Sequence, residues 1–71
     1  MTNSKAMRKW ISDRGLKLKA VAAALKITPY ALQKKIDNCS EFKASEIAVF
    51  VNELGMEAGV RDQIFFAQDV E

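Results

Sequence analysis

Apolar residues recur three and four positions apart along most of the chain, which is the spacing of side chains on one face of an α-helix. Polar turns separate five segments of this kind, and no stretch shows the strict alternation of apolar and polar residues that marks a half-buried strand. The pattern therefore predicts an all-α fold. The five predicted helices cover approximately residues 4–14, 18–25, 29–37, 44–54 and 57–66.

The apolar stripes of the first four helices are predicted to form the core, because each stripe places its side chains on one helical face. Their residues are Met7, Trp10, Ile11, Val21, Ala22, Leu25, Leu32, Ile36, Ile47, Phe50, Val51 and Leu54. The fifth helix is weaker, and its adjacent Phe65 and Phe66 cannot both face one core. We expect one of these two aromatic residues to be exposed, packed by the tail, or used at a partner interface. Both Phe65 and Phe66 are candidates for that interface.

Capping residues predict where several helices begin and end. Ser4 is a candidate N-cap of the first helix, and Gly15 and Gly55 can supply the left-handed residue that follows a helix. Glu46 falls in the first turn of the fourth helix, where the helix dipole favours a carboxylate.

The segment Lys26-Ile27-Thr28-Pro29 predicts a tight turn between the second and third helices. Thr28 is a good N-cap, and Pro29 suits the first helical position because its missing N–H is not needed there. Two short helices joined in this way form a helix-turn-helix unit, whose second helix enters the major groove of DNA. The exposed face of that helix carries Tyr30, Gln33, Lys34 and Asp37. A solvated face without any partner is the alternative interpretation.

Charge is distributed unevenly along the 71 residues, although the net charge is only +2. Residues 1–36 contain nine basic residues and one acidic residue, a formal charge of +8. Residues 37–71 contain two basic and eight acidic residues, a formal charge of −6. Such asymmetry favours an anionic partner for the first half of the chain.

Composition excludes several classes of chemistry. With no His and a single Cys39, the chain lacks the residues for a Cys/His zinc site, a disulfide framework or a His-based catalytic pair. We therefore expect no enzyme activity, no metal and no cofactor. The longest apolar runs, such as 21–25 and 47–51, are far shorter than the roughly 18–20 residues of a membrane helix, so we expect a soluble, cytoplasmic protein.

An ordered series of residues across positions 7–56 resembles the lambda-repressor/Cro-like helix-turn-helix family. Its main part is Gly15-Leu16-x-x-x-x-Val21-Ala22-x-x-Leu25-x-Ile27-Thr28-x-x-x-Leu32, and it continues in Lys35-Ile36-Asp37-Asn38, Phe42, Glu46-Ile47 and Leu54-Gly55. The later residues are similar to those of small phage and prophage regulators of Gram-positive bacteria. The resemblance implies a five-helix DNA-binding domain, operator binding, and a role in a lysis–lysogeny or similar switch in the bacterial cytoplasm.

Four positions depart from the pattern of this family. Lys17 and Leu18 stand where a capping Thr or Ser and then a phosphate-binding Gln are usual, so charge would replace a hydrogen-bonding side chain. Lys26 replaces the glycine of the turn and must adopt a positive φ or alter the turn. Pro29 stands where family members often have Gln or Ser, so one common base-reading position has no donor.

Matching positions of the family motif assign candidate DNA contacts in this chain. Base contacts are predicted for Tyr30, Gln33 and Lys34, and phosphate contacts for Lys17, Lys19, Thr28, Asn38 and Lys43. Family repressors commonly pair through the C-terminal region, so a homodimer on a palindromic operator is a further expectation.

Two hypotheses of function remain. The first is a transcriptional regulator of the Cro/repressor type that binds double-stranded operator DNA. The second is a helix-turn-helix domain that serves as a protein-interaction module and modulates a co-encoded repressor protein. Pro29, Leu18 and the acidic second half of the chain favour the second hypothesis.

Overall fold

A computed structural model describes residues 1–66 of the chain. These residues form five helices and no strand: α1 (Ser4–Asp13), α2 (Leu18–Leu25), α3 (Pro29–Ile36), α4 (Ala44–Asn52) and α5 (Ala58–Phe65). The all-α prediction is confirmed, and each helix begins and ends within two residues of its predicted position. None of the helices in this part of the chain has the length and apolar character needed to cross a bilayer.

The core lies where the five helices meet. α2 packs against α3, α1 packs against α3 and α5, and α4 packs against α2 and α5. The buried apolar side chains of the core are Met7, Ile11, Val21, Ala22, Leu25, Leu32, Ile36, Phe50, Met56, Ile64 and Phe65. Eight of these were predicted from the stripes; Trp10, Ile47 and Leu54 pack on the core while half-buried, and Val51 is half-buried.

Phe50 is the centre of an aromatic cluster that joins α1, α4 and α5 with the connection between α3 and α4. Its ring centroid lies 5.9 Å from that of Trp10, 5.8 Å from that of Phe42 and 5.3 Å from that of Phe65. Most of these contacts are edge-to-face, the arrangement that aromatic quadrupoles prefer. Phe65 is therefore a core residue, which leaves Phe66 as the candidate for a partner contact. Phe66 is exposed.

The start of α1 differs from the sequence prediction. Asn3, not Ser4, is the N-cap, and its side-chain oxygen accepts a hydrogen bond from the amide of Ala6 at 3.1 Å. The Ser4 hydroxyl instead donates to the carbonyl of Ile36 in α3. Ser4 therefore connects α1 to α3 rather than capping the start of α1.

Candidate nucleic-acid interface

Residues 26–28 connect α2 to α3 through a sharp change of direction. Lys26 adopts the left-handed conformation with φ 62° and ψ 39°, so this lysine takes the geometry that usually favours glycine. The amide of Ile27 donates to the carbonyl of Ala22 at 3.0 Å, which satisfies a free carbonyl at the end of α2. Thr28 then caps α3, since its Oγ1 accepts from the amide of Ala31 at 3.0 Å, and Pro29 begins the helix as predicted.

The three predicted base-contacting residues share the exposed face of α3. Tyr30 is 72% exposed, and Gln33 and Lys34 are also exposed, whereas Leu32 and Ile36 on the opposite face are fully buried. The side chains of Tyr30, Gln33 and Lys34 make no hydrogen bond or ion pair to any residue between 1 and 66. Lys34 Nζ lies 5.3 Å from the centroid of the Tyr30 ring, within the range of a cation–π interaction between the two side chains.

The N-terminus of α2, the helix that precedes the turn, is bordered by two exposed lysines. Lys17 is the N-cap residue, has extended backbone angles, and makes no side-chain capping bond. Lys19 is exposed in the first turn. The free amides of a first helical turn carry partial positive charge, so Lys17, Lys19 and the helix end together form a site that suits an anion such as phosphate.

The predicted phosphate contacts differ in how free their side chains are. Thr28 is exposed, and although its oxygen caps α3, its hydroxyl proton can still be donated to a phosphate. Lys43 is the exposed N-cap residue of α4. Asn38, by contrast, donates from Nδ2 to the carbonyl of Thr2 at 2.9 Å and accepts on Oδ1 from the Thr2 amide at 2.8 Å. Its amide holds the start of the chain, so Asn38 drops out of the candidate phosphate contacts.

Ion pairs divide the basic residues of the first half into two groups. Arg8 pairs with Asp37 at 2.8 Å and Lys9 with Asp13 at 2.7 Å. Lys5, Arg14, Lys17, Lys19, Lys26 and Lys34 make no ion pair within the described residues. Four of these six residues lie between positions 17 and 34, on α2 or directly before it, in the turn, and on α3.

Lys35 does not belong to this basic surface, although the sequence pattern includes it. Its side chain is buried, and Nζ lies 3.1 Å from Oε1 of Glu46 and donates to the carbonyl of Glu41 at 3.0 Å. Position 35 follows the buried Leu32 by three residues, and this spacing is the one signal in the sequence that could have placed Lys35 inside.

A second surface feature is an open apolar groove between α4 and α5. Ile47 and Val51 line one side, and Arg61 and Phe66 line the other. Phe66 is 56% exposed, and the Arg61 guanidinium lies 6.0 Å from the centroid of its ring. This groove is distinct from the exposed face of α3.

Comparisons with protein-family models, with curated proteins and with solved structures found no match to the chain. Within residues 1–66, no three His, Cys, Asp or Glu side chains come close enough together to hold a metal ion. What these residues offer chemically is a helical face of hydrogen-bonding and cationic groups, Tyr30, Gln33 and Lys34, with exposed lysines before and after it in the chain.

Proposed function

We propose that this protein is a sequence-specific DNA-binding transcriptional regulator of the Cro/repressor type, acting in a phage lysis–lysogeny switch. The observation that carries the proposal is the exposed face of α3, where the side chains of Tyr30, Gln33 and Lys34 have no hydrogen-bond or ion-pair partner among the described residues. α2, the three-residue turn and α3 correspond in the proposal to a helix-turn-helix unit, with α3 as the recognition helix.

The dimensions of α3 suit a major groove. A helix with its side chains is about 10–12 Å across, and the major groove of B-DNA is about 12 Å wide. Lys34 suits the N7 and O6 acceptors of guanine, Gln33 can form two hydrogen bonds with adenine, and Tyr30 can contact a thymine methyl group or a phosphate. Three adjacent side chains would thus distinguish two or three consecutive base pairs.

Phosphate contacts would fix the orientation of α3 in the groove. In the proposal, Lys17 and Lys19 bind two neighbouring phosphates at the N-terminus of α2, and Thr28 donates a hydrogen bond at the start of α3. Lys43 lies at the start of α4 and binds the backbone beyond the other end of α3. Contacts on both sides of α3 would prevent the helix from rotating within the groove.

The test is a binding titration with the DNA upstream of the gene, compared with a scrambled fragment, at several salt concentrations. Each phosphate-bound lysine contributes roughly −0.9 to the slope of log K against log salt, so three lysines predict about −3 per bound protomer. The Lys17→Gln variant should weaken binding to both fragments and lower this slope by about one. Lys9→Gln, which removes the same charge from α1, is the matched control; equal effects of the two variants would contradict the proposed surface.

A protein-interaction module that modulates a co-encoded repressor is the second candidate function. The observation that favours it is the exposed Phe66 beside the groove between α4 and α5. If it is correct, the chain alone binds neither DNA fragment, and adding the co-encoded repressor gives a stable complex that Phe66→Ala weakens. A homodimer that uses Phe66 would instead appear as a doubled mass in sedimentation of the chain alone.

A further inference from the structure

Lys35 and Glu46 are the only buried charged residues in the part of the chain that the structure describes. Lys35 is 9% exposed and Glu46 is 6% exposed. Removing two charges from water is unfavourable unless the pair is well aligned and further hydrogen bonds satisfy both groups. Here Nζ and Oε1 are 3.1 Å apart, and each group has a second partner in the backbone.

The second partners show which parts of the molecule the pair joins. Lys35, in the last turn of α3, donates to the carbonyl of Glu41 at 3.0 Å. Glu46, in the first turn of α4, accepts from the backbone amide of Lys43 at 2.8 Å. Lys35 Nζ also lies 6.0 Å from the centroid of the Phe42 ring. One buried ion pair therefore attaches the end of α3 to two residues of the connection before α4, namely Glu41 and Lys43, the N-cap residue of α4.

This attachment fixes the position of Lys43 relative to α3, on which the proposed DNA interface depends. α3 carries Tyr30, Gln33 and Lys34, whereas Lys43 is separated from α3 by residues 37–42. Two apolar side chains of similar size would fill the same space and often stabilise a fold equally well. They would not, however, hold the Glu41 carbonyl and the Lys43 amide in place.

We propose that Lys35 and Glu46 are positioning residues of the DNA interface: they touch no DNA, and they fix Lys43 and the α3–α4 connection relative to the recognition face of α3. This inference rests on the proposed function, because it names two further residues that the same site requires. Lys35 thereby belongs to a different group from Lys34, its neighbour in the chain, which faces the DNA.

The first test is the variant Lys35→Met/Glu46→Leu, which leaves the net charge unchanged and keeps the site filled. We expect its helical circular dichroism to be retained, and its binding to the upstream DNA to be at least tenfold weaker. We also expect the salt slope to fall by about one, because the phosphate contact of Lys43 is lost. Wild-type affinity and slope in this variant would overturn the proposal.

The second test, Glu46→Leu, separates positioning from simple electrostatics, because leucine removes both the charge and the acceptor oxygen. Removal of a negative charge strengthens binding to DNA if only the net charge matters, and weakens it if Glu46 positions Lys43. Glu53→Leu is the matched control, since Glu53 is exposed and its replacement removes the same charge. Equal strengthening of binding in both variants would refute the positioning role. In the Glu46→Leu background, adding Lys43→Gln should produce no further loss.

A measurement without DNA distinguishes failure of this inference from failure of the proposed function. In Lys35→Met/Glu46→Leu, hydrogen exchange at the amide of Lys43 should accelerate at least tenfold, with the amides of α1 and α5 unchanged. If the wild-type chain binds no DNA but the exchange result holds, only the proposed function fails. If exchange at Lys43 is unchanged, the pair does not fix the connection.

Discussion

Lys26 and Asn38 both adopt the left-handed conformation, with φ of 62° and 66°, at the ends of α2 and α3. For most residues other than glycine this conformation costs roughly 1–2 kcal/mol, and asparagine adopts it more readily than lysine. The Lys26 side chain makes no hydrogen bond or ion pair within residues 1–66 that would offset the strain. The two residues therefore allow a direct comparison of backbone strain with and without a compensating side chain.

Lys26→Gly should raise the free energy of unfolding by about 0.5–1 kcal/mol, because relief of strain exceeds the greater flexibility that glycine gives the unfolded chain. Asn38→Gly should lower it by about 1 kcal/mol, because the two hydrogen bonds to Thr2 are lost. Urea denaturation of both variants measures the two values. A stabilising effect of both substitutions would show that the bonds between Asn38 and Thr2 contribute nothing.

Some residue positions were predictable from the sequence because their chemistry is local. Thr28 and Pro29 have types that suit the first positions of a helix whatever surrounds them, and they begin α3 as predicted. Asn3 and Ser4 are both good capping residues, so only the contact of Ser4 with Ile36 decides between them. The burial of Lys35 likewise depends on Glu46, eleven positions away, and no local pattern contains that contact.

At the scale of the elements, α2 begins with a residue that weakens the helix. Lys17 occupies the N-cap position without a capping hydrogen bond, and its positive charge lies at the positive end of the helix dipole. A serine would supply the cap and remove the unfavourable charge. The position therefore trades helix stability for a cation at the proposed phosphate site.

Lys17→Ser should raise the stability of the protein by about 0.5–1 kcal/mol while weakening DNA binding. Thermal unfolding and a DNA titration on the same sample measure the two effects. Lys17→Gln is the control, because it removes the charge without adding a good cap and should weaken binding with a smaller gain in stability. An increase in stability with unchanged DNA affinity would contradict the role of Lys17 at the interface.

The phase of α5 was another feature that the sequence left open. Adjacent Phe65 and Phe66 lie about 100° apart around the helix axis, so periodicity alone predicts that one of them is inside and does not say which. The aromatic cluster decides: Phe65 lies 5.2 Å from Phe42 and 5.3 Å from Phe50 between ring centroids. Packing between distant segments, not the local pattern, therefore leaves Phe66 exposed.

At the scale of the whole molecule, stability depends heavily on the aromatic cluster around Phe50. A chain of this size has a total stability of about 4–10 kcal/mol, and truncating a buried Phe to Ala typically costs about 3–5 kcal/mol. Phe50→Ala should therefore remove about half of the free energy of unfolding, measured by urea denaturation. Phe66→Ala should change stability by less than about 0.5 kcal/mol. A similar loss in both variants would place Phe66 in the core as well.

At the level of the folded chain, the small net charge of +2 results from basic and acidic residues that occupy different parts of the molecule. Arg8 pairs with Asp37 and Lys9 pairs with Asp13, while Lys35 is buried with Glu46. Seven basic residues make no ion pair within residues 1–66, and four of them, Lys17, Lys19, Lys26 and Lys34, lie in the segment proposed to bind DNA. Because the acidic residues lie mostly after position 36, repulsion from DNA would act mainly on α4 and α5.

The central claim is that the exposed face of α3 reads DNA sequence, and selection of bound duplexes from a random pool tests it most directly. The wild-type chain should enrich one consensus containing a guanine, and Lys34→Ala should lose preference at that base pair alone, a change of about 1–3 kcal/mol. Lys17→Gln should retain the consensus while binding more weakly. An unenriched pool, or a consensus that Lys34→Ala leaves unchanged, would contradict the assignment of α3 as the recognition helix.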